Sequence, residues 1–313
     1  MIEVKNLTKY YGDFPAVEDV SFRVEKGEIL GFLGPNGAGK TTTMRILTGF
    51  LPASSGTATI AGYDVFNNSL EVRRRIGYLP ETVPLYTDMT VHDYLHFCAS
   101  IRGVERKRIP RRIDDVIGIC RLEEYYDSLI GKLSKGFRQR VGVAQAIIHE
   151  PEVLVLDEPT IGIDPRQVAE TRHLITNLGK DHTIILSTHI LPEVSMVCKR
   201  VIIIDEGKVV AVDTPENLSS RLAGSDRIKL EVRGPTRDVG ARLRQIRGVQ
   251  RVTQESATNG KGRFLLECAT GQDLREEIAK AVVQSGWGLM ELQPVGMSLE
   301  EIFLKLTTKE EGL

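Results

Sequence analysis

Residues 34–41 read GPNGAGKT, directly after the apolar run EILGFL and directly before KTTTMRILTGF, where Met44 and Leu47 take up helical spacing. A glycine-rich loop between a strand and a helix can turn its amides inward around phosphate oxygens. Gly34, Gly37 and Gly39 provide that freedom, and Pro35, Asn36, Ala38 and Thr42 complete the candidate cradle. Lys40 can reach the terminal phosphates of a nucleotide, and the Thr41 hydroxyl can ligate Mg²⁺. The plain alternative is a glycine-rich turn, and the strand-to-helix setting weighs against it.

A second cluster of chemistry ends the apolar run VLVLDEP at residues 153–159. Neighbouring side chains on a strand point to opposite sides, so Asp157 and Glu158 face different partners. One can join a magnesium shell while the other faces an attacking water. His189 follows a third apolar run, TIILST. In an open parallel sheet ligands sit beyond the carboxyl ends of the strands, so the Gly34 loop, the two carboxylates and His189 are expected at one edge. A fourth stretch, LSKGFRQRV at 133–141, opens a helix whose apolar stripe is Val141, Ala144 and Ile148. Ser134 is a good N-cap there, and a helix start with a small residue and a nearby cation also suits an anion.

These groups need a scaffold, and the chain is long enough to supply one. Its 313 residues, 41% hydrophobic and 27% charged, fit one large domain and a smaller one. With 41 basic and 42 acidic side chains the formal net charge is -1, which excludes a global electrostatic attraction to nucleic acid. There is no basic-then-apolar leader, and the longest apolar runs are strand-sized, far short of a bilayer span. Cys98, Cys120, Cys198 and Cys268 have no CxxC spacing and read as buried thiols in a reducing compartment.

Strand patterns fill residues 1–80, helical patterns take over from about 85 to 150, and strands return as EVLVLD, HTIILST and RVIIID, the first two joined by a helical stretch at 166–179. That order predicts an α/β fold with a parallel sheet covered on both faces and a helical insertion. A boundary is expected near SRLAGSDR at 220–227. Beyond it, RIKLEVRG, PTRDVGARLRQI, VQRVTQES, GRFLLECA and DLREEIAKAVVQSG alternate as strand, helix, strand, strand, helix. With one further strand this is the ferredoxin-like split βαβ order, an α+β domain. Asp273 and Glu276 have capping-box spacing, as do Ser298 and Glu301 ahead of a last helix, SLEEIFLKLT.

Residues 2 to about 220 resemble the ATP-binding subunits of ABC transporters, P-loop NTPases, with every motif in order. The resemblance implies an ATPase domain over 1–222, with a helical subdomain at about 85–150, followed by an accessory α+β domain over 225–313. It implies that Tyr11, in YYGD, stacks on adenine; that Lys40 and Thr41 are the phosphate-binding lysine and magnesium ligand; that Asp157 holds the metal and Glu158 is the general base; and that His189 contacts the terminal phosphate. Gly162 to Asp164 match the family's D-loop. Two positions depart from the pattern. Glu81 stands where a Q-loop glutamine is usual, and a carboxylate can ligate magnesium or water but cannot donate as an amide does. The signature LSGGQ is here Leu133, Ser134, Lys135, Gly136 and Phe137, which keeps the hydroxyl and the close-approach glycine. The C-terminal extension and the LSKG variant resemble the ABC-2 type exporter subgroup.

The implied activity is ATP hydrolysis coupled to export, with ATP and Mg²⁺ as cofactors. The implied assembly is a head-to-tail homodimer in which Ser134 and Gly136 complete the partner's ATP site, docked on an integral membrane permease at the cytoplasmic face of the cell membrane. No nucleic acid is expected. The rival reading is a soluble ATPase of the same type acting on nucleic acid or ribosomes. Two further features are read as structural: His92 and His96, four apart without a third ligand, and the basic run RGVERKRIPRR at 102–112, which Asp114 and Asp115 follow at once.

Overall fold

The computed structural model describes residues 1–215, 217, 218, 226–258, 260–269 and 273–295. The chain divides into two compact units, Met1–Pro215 and Glu216–Leu313.

The first unit opens with a hairpin of β1 (Ile2–Tyr11) and β2 (Phe14–Val24), after which β3 (Ile29–Leu33) runs into α1 (Lys40–Leu47). Next come β4 (Ser55–Ile60), β5 (Tyr63–Asp64), α2 (Ser69–Arg75) and β6 (Ile76–Leu79). Three helices follow, α3 (Val91–Ile101), α4 (Ile109–Cys120) and α5 (Lys135–Ile147). The chain then returns to strands through β7 (Val153–Asp157), α6 (Pro165–Leu178), β8 (Thr183–Thr188), α7 (Leu191–Val197), β9 (Arg200–Asp205) and β10 (Lys208–Asp213).

Two sheets result. One is six-stranded in the order β10-β9-β3-β8-β7-β6, parallel except for β10. Every residue of β3, β7 and β8 is buried, the state that uninterrupted apolar runs predict for strands covered on both faces. The other sheet is antiparallel, β2-β1-β4-β5, and packs on the first through Val17, Phe22, Leu30, Phe32 and Met44. The Phe22 and Phe32 rings meet there at 5.6 Å.

Register fixes the working edge. Leu33 lies opposite Thr188, and Ser187 lies opposite Asp157, so β3, β8 and β7 end almost flush. The next residue on each strand is Gly34, His189 and Glu158, which sets the three loops side by side. α7 is held close beneath this edge, because a Cβ on Gly31 in β3 would stand 2.6 Å from Val194 Cγ1 and 3.2 Å from Cys198 Sγ. Only glycine admits the helix at that distance.

The second unit contains β11 (Asp226–Arg233), α8 (Thr236–Arg244), β12 (Val249–Thr258), β13 (Lys261–Cys268), α9 (Arg275–Gln284) and β14 (Gly288–Val295). Its antiparallel sheet runs β12-β13-β11-β14, the split βαβ arrangement. Leu230, Val239, Leu243, Phe264, Leu266, Ile278 and Val282 form its core. α9 begins later than the expected box, with Leu274 at the cap position, although Asp273 Oδ1 still accepts from the Arg275 amide at 3.2 Å. The helix expected at SLEEIFLKLT lies outside the described residues.

All four cysteines are buried, and among the described residues none forms a disulfide. His92 stacks on Tyr126 at 4.8 Å, and no cluster of three or more His, Cys, Asp or Glu placed to hold a metal ion occurs among the described residues. Three arginines of the basic run go to separate partners. Arg102 donates to the Arg73 carbonyl, Arg108 pairs with Glu150, and Arg112 donates to the Ile147 and Ile148 carbonyls. No described helix is long and apolar enough to cross a membrane.

His149, just past α5, makes the first unit sensitive to acid. Its Nε2 lies 3.0 Å from the Ile76 carbonyl, its Nδ1 is buried without a partner, and burial pushes its pKa down to about 4. The unfolded chain therefore takes up this proton first: the contribution to stability is complete above pH 6.5 and declines as pH falls toward 4. Urea unfolding at pH 7 and pH 4.5 is expected to show a loss of about 2 kcal/mol that His149→Asn, with no proton to gain, does not show.

Candidate functional site

The loop after β3 takes its shape from glycines that no other residue replaces. Gly37 and Gly39 have φ of 84° and 98°, and a Cβ on Gly39 would stand 2.4 Å from the Ala16 carbonyl. Gly39 is also the N-cap of α1, so the unpaired amides of the first turn and the positive end of the helix dipole face the loop. Lys40 begins that helix, only 5% exposed, with Nζ 2.7 Å from the Gly34 carbonyl and 3.1 Å from that of Pro35. A buried ammonium in a ring of amides is a receptor for phosphate.

Glu158 faces this ammonium across the edge. Its Oε1 lies 3.3 Å from Lys40 Nζ, within ion-pair range but outside hydrogen-bond geometry, and its Oε2 lies 2.9 Å from His189 Nδ1. The Glu158 backbone is left-handed, with φ of 50°, and its amide donates to the Ser187 carbonyl at 3.0 Å. Strain of this kind in a non-glycine residue costs about 1–3 kcal/mol and is typical of functional positions. Glu158 is 3% exposed and Asp157 is fully buried.

Asp157 accepts from the Ser187 hydroxyl through Oδ1, while Oδ2 is buried without a partner. Burial raises its pKa, against the pull of the Ser187 and Thr41 hydroxyls, and the nearby Glu158 and Glu81 charges raise it further. An orphaned carboxylate oxygen beside a threonine hydroxyl is a set of hard oxygen donors, and it fits Mg²⁺. A dication there would relieve the desolvation that raises the Asp157 pKa.

Above these groups opens a cavity of about 470 Å³, lined by Tyr11, Asn36, Gly37, Gly39, Lys40, Thr41, Thr42, Glu81 and Glu158 among others. The volume is that of a drug-sized or nucleotide-sized ligand site. Gly34 sits at the base of the loop, and Pro35 and Ala38 line a neighbouring cavity of about 470 Å³ on its outer side. Three lining residues escaped the sequence reading: Phe14, Ala16 and Ile161. Phe14 is 64% exposed and pairs with Tyr11 across the hairpin turn, which puts a second aromatic at the cavity mouth. An aromatic on each side of GD in YYGDF was the available signal.

Ser134 and Gly136 do not line this cavity. Ser134 caps α5 and accepts from the Phe137 amide at 3.4 Å. The start of α5 is pinned to the segment after Glu158: a Cβ on Gly162 would meet Lys135 Nζ at 2.2 Å, and one on Gly136 would meet Gln167 Oε1 at 1.7 Å. Arg140 pairs with Glu170 one turn further on, and its guanidinium lies 5.3 Å from the Phe137 ring, which tilts against Tyr125 at 4.1 Å. Phe137 therefore packs within its own chain, in a cluster that polar glutamine would not build.

A phosphate loop on a parallel sheet, with a buried carboxylate pair and a histidine at the strand ends, defines a P-loop nucleoside triphosphatase. Residues 17–161 match the ABC transporter family. Over 98% of its length the chain is 32% identical to the linearmycin resistance ATP-binding protein LnrL of Bacillus subtilis, covering 98% of that protein. It is 41% identical to the bacitracin transport ATP-binding protein BcrA of Bacillus licheniformis, covering 71% of this chain and 72% of that one. A solved ATP-binding subunit of an ABC transporter superposes with a TM-score of 0.65 at 32% identity, covering 71% of this chain and 92% of the other. The chain belongs to the ABC transporter family as an ATP-binding, ATP-hydrolysing subunit of the ABC-2 exporter type. The rival reading, action on nucleic acid or ribosomes, finds no support in these relatives.

The shape of the loop yields a stability test. Gly39→Ala is expected to cost about 3 kcal/mol, from a forbidden φ and a collision with the Ala16 carbonyl. Gly12→Ala, at φ of 58° with open space around it, is expected to cost only about 1 kcal/mol. Denaturant unfolding of both variants measures the difference.

Proposed function

We propose that this chain is the motor of a membrane exporter, in which two copies close around two ATP molecules and drive a permease at the cytoplasmic face of the membrane. The observation that carries the catalytic part is Glu158, held between Lys40 at 3.3 Å and His189 at 2.9 Å on a strained backbone at the cavity floor. The ATPase domain ends near residue 222, and the α+β domain over 225–313 is an accessory unit.

Asn36 to Thr42 wrap the phosphates, with Lys40 turning from the Gly34 and Pro35 carbonyls toward the β and γ oxygens, and Tyr11 stacks on the base. Thr41 and Asp157 would hold Mg²⁺, with Glu81 beside them on the cavity wall. When bound, the ion neutralises charge that develops on the phosphate oxygens. Glu158 accepts a proton from the attacking water as the new bond to the γ phosphorus forms and the bond to the bridging oxygen breaks, releasing ADP. His189 holds Glu158 through Nδ1, and when both ring nitrogens carry protons its Nε2–H donates to the γ-phosphate, so it orients the base and the phosphate together.

A donor for the outer side of the γ-phosphate must come from elsewhere, because Ser134 and Gly136 do not line their own chain's cavity. In a head-to-tail pair related by a two-fold axis, each Ser134 meets the nucleotide of the other copy. ATP favours the closed pair through contacts made only there, and hydrolysis removes them. The permease docks on the helical part, where Tyr86, Phe97 and Ile101 are 53%, 37% and 66% exposed and Tyr86 packs edge-on to Tyr94. An exposed aromatic and aliphatic patch of this kind suits a protein partner.

Glu158→Gln is expected to keep ATP binding and lower turnover by about 100-fold or more, read as phosphate release against a nucleotide titration. Normal hydrolysis in that variant would remove Glu158 from the role of base. Ser134→Ala removes an N-cap, which costs about 1 kcal/mol of stability. Its larger effect is expected on ATP-driven dimerisation, measured by size-exclusion chromatography in the Glu158→Gln background. Unchanged dimerisation would assign Ser134 to capping alone.

A further inference from the structure

Glu193 is a buried carboxylate that the proposed mechanism does not use. It is 2% exposed and sits in the first turn of α7, the helix that Gly31 admits against β3. Both of its oxygens are engaged. Oε1 accepts from the Thr160 hydroxyl, and Oε2 accepts from the Thr188 hydroxyl at 3.1 Å. The two threonines are themselves buried, 2% and 0% exposed; Thr160 lies in the loop after β7, and Thr188 is the last residue of β8. Thr160 lies two residues beyond Glu158, and Thr188 immediately precedes His189.

The hydroxyls leave little freedom. Thr188 Oγ1 also accepts from the Ile190 amide at 3.0 Å, so its proton is committed to Glu193. The Thr188 carbonyl accepts from the Gly34 amide at 3.4 Å, and the Thr160 carbonyl accepts from the Ile163 amide at 3.5 Å. Burial pushes the Glu193 carboxyl above its usual range, the two threonine hydroxyls pull it down, and the Glu158 charge raises it again. A polar group this deep is costly unless it is bonded, and here every bond goes to a loop that bears one of the two groups facing the γ-phosphate.

We infer that Glu193 is a positioning residue: its carboxylate ties the loop after β7 to the loop after β8, and so sets the 2.9 Å contact between His189 Nδ1 and Glu158 Oε2. The inference rests on the reading of Glu158 as base. Because Glu193 does not line the nucleotide cavity, its loss acts on turnover and not on ATP affinity. Displacing a catalytic pair by a fraction of an ångström to 1 Å costs about 10- to 100-fold in rate.

In the full chain, Glu193→Gln keeps the size of the side chain but offers one acceptor where two are needed. It is expected to lower kcat for ATP hydrolysis about 10-fold, with KM for ATP and the nucleotide titration unchanged within about twofold. Thr160→Val is expected to show the same split, and Thr160→Ser, which keeps the hydroxyl, to restore kcat. Thr160→Val combined with Glu193→Gln is expected to be no slower than the slower single variant, since both cut one link. If Glu193→Gln does not fold, the Thr160→Val and Thr160→Ser pair decides alone. Glu158→Gln is measured alongside. A dead Glu158→Gln with a normal kcat in Glu193→Gln and Thr160→Val overturns the tie and leaves the base in place. Multiplied losses in the double variant, or a rise in KM equal to the loss of kcat, also overturn it. Normal hydrolysis in Glu158→Gln overturns the base, and the tie with it.

Discussion

The site depends on the register of three parallel strands. Because Leu33 stands opposite Thr188 and Ser187 opposite Asp157, the strands end together, and the three loops that carry the chemistry begin at one level. A slip of one residue in any of them would turn its side chains to the other face and move one loop by about 3.3 Å. A buried ammonium, two buried carboxylates and a histidine tolerate no such error. The ammonium and both carboxylates are desolvated, and each is stable only with its partners within a few ångströms. The apolar strands beneath are therefore more than core: their uniform burial fixes a charged cluster that could not fix itself.

Much of this was legible in the sequence because it is local. A phosphate loop is eight consecutive residues, and its meaning follows from glycine geometry and the strand-to-helix setting. The pair Asp157 and Glu158 is readable for the same reason. The alternating strand and helix order of the second unit also maps directly onto its sheet. What stayed hidden depends on residues far apart in the chain. Nothing in residues 55–64 announces that β4 and β5 join β1 in an antiparallel sheet, since the pairing of Ile2 with Ile60 spans most of an entire sub-fold. Glu193 reads as an ordinary acid in the first turn of a helix, and only the approach of α7 to Gly31 buries it. Phe14 reads as a hairpin residue until the turn brings it beside Tyr11.

The substitutions in the signature loop are explained by packing within the chain. Phe137 lies between Tyr125 and the Arg140 guanidinium, and Arg140 reaches Glu170 on α6. Lys135 lies over Gly162, and Gly136 lies against Gln167. Aromatic and cation–π contacts of this sort contribute about 0.5–1.5 kcal/mol each, enough to favour one orientation of the helix start. Glu81, by contrast, is exposed and lines the cavity, so its departure from glutamine changes the cavity wall and leaves the packing alone.

The seating of α5 on the segment after Glu158 has a consequence for the proposed head-to-tail pair. Lys135 and Gly136, beside the Ser134 proposed to reach a neighbouring copy's nucleotide, lie against Gly162 and Gln167, which follow this copy's own Glu158. In such a pair a shift of that segment would be felt at the signature start, as two teeth on one gear move together. Each nucleotide site would then carry, through side-chain contact, a mechanical record of the state of the other.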